Sequence, residues 1–180
     1  ALYGNSAGGV VSMYTETPEG PPTLEGGFAL GSNGQTRLSA KASGQTAQGL
    51  SYVLSTSRFL TDGWRDHSAA DRNLANAKLS TAIGEDARLT LVANAMESDA
   101  QDPQGLTWQQ YQADPRRASY RADNGQAVAE LFNTRKSLRQ TQLGATYERR
   151  IDSVHSLALT GYVGHRSMEQ YQSIPTAAQN

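Results

Sequence analysis

Two polar stretches of the chain set aromatic rings beside guanidinium groups. Trp64 and Arg65 are adjacent in "TDGWRDHS", and Trp108, Tyr111, Arg116, Arg117, Tyr120 and Arg121 crowd into residues 108–121. Aromatic faces stack on flat groups and guanidinium forks pair with carboxylates and phosphates, so this mixture suits an anionic, planar or chelate ligand. These eight residues are the candidate ligand contacts. His67 lies near Asp62 and Asp66, a set that could hold a cation, although mixed-charge loops of this kind are mostly solvated. His155 and His165 stand alone and read as turn and strand-end residues. No nucleophile motif, phosphate loop or metal cluster emerges, so neither a catalytic residue nor a metal ligand is assigned and an enzyme is not expected.

What must position those side chains is a repeated period of two, the mark of strands with unlike faces. In "TLEGGFALGSNG", Leu24, Gly26, Phe28 and Leu30 share one parity, and Asn33-Gly34 signals a tight turn into "TRLSAKAS", where Leu38, Ala40 and Ala42 oppose Arg37, Ser39 and Lys41. The same alternation recurs in "LSYVLST" from Leu50, "NLANAKLSTAI", "RLTLVANA", "RQTQLGATYERRI" and "SLALTGYVGH". The chain therefore reads as all-β with about seven antiparallel strands. A polar connection is expected from Ser98 to about Asn133.

None of the residues on the apolar parity of these segments is charged, although 18% of the chain is. Glu25, Arg37, Lys41, Lys78, Arg88 and Glu148 all fall on the other parity. A charge facing lipid costs roughly 2–4 kcal/mol near mid-bilayer and little in a watery lumen, so the pattern predicts a transmembrane barrel. The apolar parity is rich in Ala and Gly, which would fill a soluble core poorly. Connections alternate between short ones on the inner side and the Trp64 and 98–133 loops on the outer side; the Asn33-Gly34 turn alone is brief for an outer loop. Tyr52, Tyr147 and Tyr162 read as aromatics at the membrane interface.

Composition narrows the class further. The chain has 180 residues, a 37% apolar fraction, net charge −1 and no Cys, so disulfides and thiolate metal sites are excluded and nothing points to nucleic acid. No run approaches the length of a membrane-spanning helix. The absent initiating Met and the ending "PTAAQN" suggest an excerpt of a longer chain.

The opening "LYGNSAGGVVSMYTETP" resembles the end of the plug domain in TonB-dependent outer-membrane receptors. The matching positions are Leu2, Tyr3, Gly4, Ala7, Gly8, Gly9, Val10, Val11 and Thr15, of which Leu2, Tyr3, Gly4, Gly8 and Gly9 are taken as the structural plug motif. Glycines permit tight turns within a confining wall, and the prolines of "TPEGPP" cannot continue a sheet. The resemblance implies a plug end at 1–18, a linker at 19–22 and barrel strands with extracellular loops over 23–180. Within the long connection, "DPQGLTWQQYQADPRRAS" and "FNTRKSLRQTQLGATYE" resemble the branch grouped as iron transporters, with receptors for pyrroloquinoline quinone among them.

The resemblance implies a transporter in the outer membrane of a Gram-negative bacterium. It would take up a ferric siderophore or similar scarce large ligand, such as a ferric chelate or pyrroloquinoline quinone, energised by the TonB complex and surrounded by outer-membrane lipid, with no nucleic-acid partner. The alternatives are a passive porin-like or structural barrel and a soluble ligand-binding β-domain.

Overall fold

The computed structural model describes residues 16, 18, 20–121 and 123–173. The plug-motif positions Leu2, Tyr3, Gly4, Gly8 and Gly9 lie outside the described residues. Seven strands follow one another as β1 (Thr23–Leu30), β2 (Thr36–Gln45), β3 (Ser51–Thr61), β4 (Ala70–Ile83), β5 (Ala87–Gln101), β6 (Arg135–Arg150) and β7 (Ser156–Tyr171). They form a single antiparallel sheet in chain order, the all-β meander that the period-two pattern predicts. Two short helices, α1 (Trp108–Ala113) and α2 (Val128–Leu131), sit between β5 and β6.

The strands run further at the outer end than their apolar residues do. β4 begins at Ala70, β5 continues to Gln101 past the expected stop at Ser98, β6 starts at Arg135, and β7 extends beyond His165 to Tyr171. Ladder hydrogen bonds need only backbone, so pairing persists after both faces have become polar. At the inner end Leu50 lies just before β3, its carbonyl accepting from the Thr46 amide at 2.9 Å.

The β1–β2 turn is closed by Gly31 N–H donating to Gln35 O at 2.8 Å, with Asn33 and Gly34 at φ 58° and 66°. Two consecutive left-handed residues match the twist of a tight hairpin, which is why Asn-Gly serves here. The inner β6–β7 turn is held by Asp152, whose Oδ1 accepts from the amides of Val154 and His155, both at 2.8 Å.

The registers sort the side chains onto two faces. On the apolar face, Leu24, Ala42, Leu54, Ala77, Ala93, Leu143 and Val163 form one row across all seven strands. The neighbouring row on the polar face reads Glu25, Lys41, Ser55, Asn76, Asn94, Gln142 and Gly164. Tyr52 and Tyr147 lie on the apolar face opposite Leu79 and Leu89. Tyr162 does not: it is opposite Gly144 and Val92 on the polar face, because its parity is opposite to that of Val163.

The apolar block slants across the sheet. In β1 it runs from Leu24 to Leu30, and in β7 from Leu157 to Val163. Leu30 is level, strand by strand, with Thr36, Leu60, Asp71, Asp99, Ser137 and Glu169, which stands six residues above Val163. Leu24 is level with Val163, six residues above Leu157. Both margins thus drop by the same amount from β1 to β7.

The sheet has almost no interior. Among the described residues the only buried hydrophobic side chains are Ala118 and Ala129, both in the β5–β6 connection, while Leu24 is 83% exposed and Val163 69%. Leu54, Leu91 and Leu159 are all exposed, and Leu79 is half-buried.

Candidate functional site

The β3–β4 loop begins with Gly63 at φ 83°, where a Cβ would run into Ser68. Only glycine fits that approach. The turn it permits is locked by Ser68 Oγ, which donates to Arg65 O at 2.5 Å and accepts from Arg65 N at 3.1 Å. Arg65 is thereby aimed into the long loop. Its Nη1 donates to Gln104 O at 2.7 Å, its Nε and Nη2 to Arg117 O at 3.1 and 2.9 Å, and Nη2 also to Pro103 O at 3.3 Å. A guanidinium engaged this way is a strut between loops, with its fork turned toward backbone carbonyls.

His67 adds a second strut. Its Nε2 is 2.8 Å from Thr134 O, and since a carbonyl only accepts, Nε2 carries the proton. Thr134 is fully buried; its hydroxyl donates to Asp102 O at 2.6 Å and its amide to Ala129 O at 2.9 Å. Asp102 N donates back to Thr134 O at 2.9 Å, closing the neck of the loop. The carboxylates of Asp62 and Asp66 form no metal-binding group with His67; among the described residues there is no such group at all.

Between these struts the loop folds into a small module. Thr107 and Gln110 cap α1 reciprocally, Gln110 N donating to Thr107 Oγ1 at 3.3 Å and Thr107 N to Gln110 Oε1 at 2.9 Å. One helical turn then sets Trp108 and Tyr111 side by side, with centroids 5.7 Å apart and planes 15° from parallel. An open cleft of about 390 Å³ is lined by Trp64, Arg65, Leu106, Trp108, Tyr111 and Pro115. Four of the eight candidate contacts therefore meet in one place.

The other four serve elsewhere. Arg116 donates to Trp64 O at 3.3 Å and to Asn33 Oδ1 at 3.2 Å, with its guanidinium 5.9 Å from the Trp64 ring centroid, so it ties all three outer connections together. Arg117 sits 4.0 Å above the Tyr120 ring and donates to Gly125 O at 3.0 Å. Arg121, with Nε 3.7 Å from Asp123, opens the turn that Gly125 N–H closes on Arg121 O at 2.8 Å. The cleft itself thus presents aromatic faces and few uncommitted donors.

Sequence reasoning missed Thr134, the strut role of Arg65 and helix α1. The Thr107-x-x-Gln110 box was a visible signal for the helix; nothing local marks the other two. It also passed over the polar face as a site. There Lys41 Nζ pairs with the carboxylates of Glu16 and, at 3.4 Å, Glu25, and Lys78 Nζ donates to Glu16 O at 3.1 Å. Higher on the same face Arg37 and Arg72 flank Phe59 in register.

No protein-family model matches the chain. Among solved structures it is similar to the unliganded crystal form of the ferric citrate transporter FecA, with TM-score 0.67 and 19% identity over 89% of this chain. The chain spans 24% of that structure's length. At this identity the likeness is one of fold: a run of consecutive antiparallel strands as found in part of that protein's barrel.

Proposed function

We propose that these strands are part of the wall of a TonB-dependent outer-membrane receptor that takes up a ferric siderophore or a comparably large, scarce ligand. The observation that carries the membrane reading is the slant. Six residues at about 3.4 Å each, dropped over six interstrand gaps of about 4.8 Å, correspond to a strand tilt of about 35° relative to a level apolar band. Transmembrane barrel strands tilt by about 35–45°. A level band on tilted strands is what a bilayer imposes, whereas a water-soluble sheet has no reason to keep both margins parallel.

In this reading the apolar face meets outer-membrane lipid and the polar face looks into the barrel. The near absence of buried apolar side chains agrees, since lipid would replace a protein core. The 1–18 stretch is assigned to the plug end, the cleft at Trp64, Trp108 and Tyr111 to ligand contact at the outer mouth, and the energy to the TonB complex of a Gram-negative cell. The protein is then a transporter and not an enzyme. The cargo is a ferric chelate or pyrroloquinoline quinone.

A receptor-deletion strain complemented with the full chain, supplied with a panel of 55Fe-labelled chelates and labelled pyrroloquinoline quinone, tests the transport reading. Uptake of one panel member that stops when the proton-motive force is collapsed is the expected result. Uptake continuing at the same rate would make the protein a passive channel, and a full chain that purifies as a folded monomer without detergent would end the membrane reading.

A further inference from the structure

On the polar face, above the row of Glu25 and Lys41, three successive rows contain no acidic residue. They read Gly27, Ser39, Ser57, Leu74, Met96, Gln140, Arg166; then Ala29, Arg37, Phe59, Arg72, Ser98, Leu138, Met168; then Thr61, Ala70, Ala100, Lys136, Gln170. Arg37, Arg72, Lys136 and Arg166 form no ion pair or side-chain hydrogen bond with any described residue. Four cations in three rows without an anion attract a counter-ion from solution.

Arg37 and Arg72 are the best placed of the four. Phe59 stands between them in register, so their Cα atoms lie about 10 Å apart, two interstrand spacings. Immediately below is a depression of about 440 Å³ lined by Glu25, Gly27, Arg37, Ser39, Ser55 and Ser57, among others. The hydroxyls of these three serines have no partner among the described residues. A Cβ at Gly27 would come within 2.6 Å of Ser39 Oγ, so glycine keeps that floor open.

We propose that Arg37 and Arg72, set on either side of Phe59, form an oxyanion-binding site for a small ligand bearing two or more negative charges on carboxylate or phosphate groups. The two guanidinium forks grip the oxygens bidentately, the Phe59 ring supports the ligand's apolar part, and the serine hydroxyls below donate to remaining acceptors. The site deepens the transport reading and rests on it only in making the anion cargo; binding itself does not require transport.

The test is calorimetric titration of the full chain in neutral detergent with citrate and, separately, inorganic phosphate, at low and high NaCl. The expected result is citrate binding that weakens with salt and falls about tenfold or more in both Arg37→Gln and Arg72→Gln. Arg37→Lys should recover only part of the loss, and the control Arg139→Gln on the opposite face should bind as the wild type does throughout. Stronger binding of phosphate than citrate with the same variant pattern supports the site and assigns it to phosphate-bearing ligands. No binding of either anion to the wild type, or equal binding to the Arg37→Gln/Arg72→Gln double variant, overturns it. Energised uptake in a protein that binds neither anion removes this site and leaves the transport reading; anion binding with uptake indifferent to energisation does the reverse.

Discussion

Arg65 in the outer loops and Arg37 on the β2 wall carry the same side chain to opposite ends. Arg65 makes four hydrogen bonds to three backbone carbonyls, whereas Arg37 makes none with the side chain or backbone of any described residue outside the strand ladder. The difference lies in the backbone around them. A carbonyl inside the sheet is already matched by its neighbouring strand, but those at 64, 103, 104, 117 and 125 belong to loops with no ladder, and a partly buried carbonyl demands a donor. Loops therefore recruit arginines as structure, whereas Arg37 and Arg72, unlike the paired strand arginines Arg58, Arg139 and Arg150, have no partner among the described residues. A cluster of arginines in a long loop is thus weaker evidence of an anion site than a pair on a paired strand.

The strongest way to press this contrast is to place a guanidinium where neither carbonyl nor water awaits it. Leu143→Arg, between Ala93 and Val163 on the apolar face, should lower folding stability in detergent or lipid by about 2–4 kcal/mol, read from denaturant refolding, while Ser57→Arg on the polar face should be tolerated. Equal losses would mean that the two faces see the same surroundings. Removing the strut comes next. Arg65→Ala should reduce the local opening free energy of residues 102–134 by about 2–3 kcal/mol, seen as faster amide exchange confined to that loop; unchanged exchange would show that the carbonyls have other partners.

Thr134→Val keeps shape but deletes the hydroxyl that serves Asp102 O, and should cost about 1–2 kcal/mol in the same readout. By contrast Arg37→Ala and Arg72→Ala should leave stability within about 0.5 kcal/mol, since their side chains hold no described residue. A larger loss would make them structural and erase the distinction from Arg65. The smallest effect is in the β6–β7 turn. The amide of Val154, then the His155 ring and the His155 amide, hold the Asp152 carboxyl below its ordinary value. A depressed carboxylate stabilises above its unfolded pKa and loses that contribution as pH falls through the folded one, so the turn should fray first below the usual carboxylate range. Asp152→Asn should abolish that pH dependence in the exchange of the Val154 and His155 amides.

The strands were legible because two faces with unlike surroundings impose period two on short segments, as in Leu24 to Leu30 against Glu25. Their outer ends were not, because from Ala70 to Asn73 or Ser98 to Gln101 both faces are polar and only backbone pairing holds them. The slant was present in the residues but needed the registers to emerge. The loop module was largely hidden: Arg65 and Arg117 are 52 positions apart, and no local pattern announces that one must satisfy the other. The Arg37, Phe59 and Arg72 row failed for a related reason, since its members come from three strands and only pairing makes them neighbours.

The slant also constrains how such a wall can grow. Spread over the three hairpin steps from β1 to β7, a six-residue descent averages two residues per hairpin. Two is the smallest offset that lowers an added hairpin without turning its side chains inside out. A gene duplication that inserted one more hairpin would preserve the geometry only with that even-numbered offset, so an odd insertion in one of the turns should be far harder for evolution to accept than an even one.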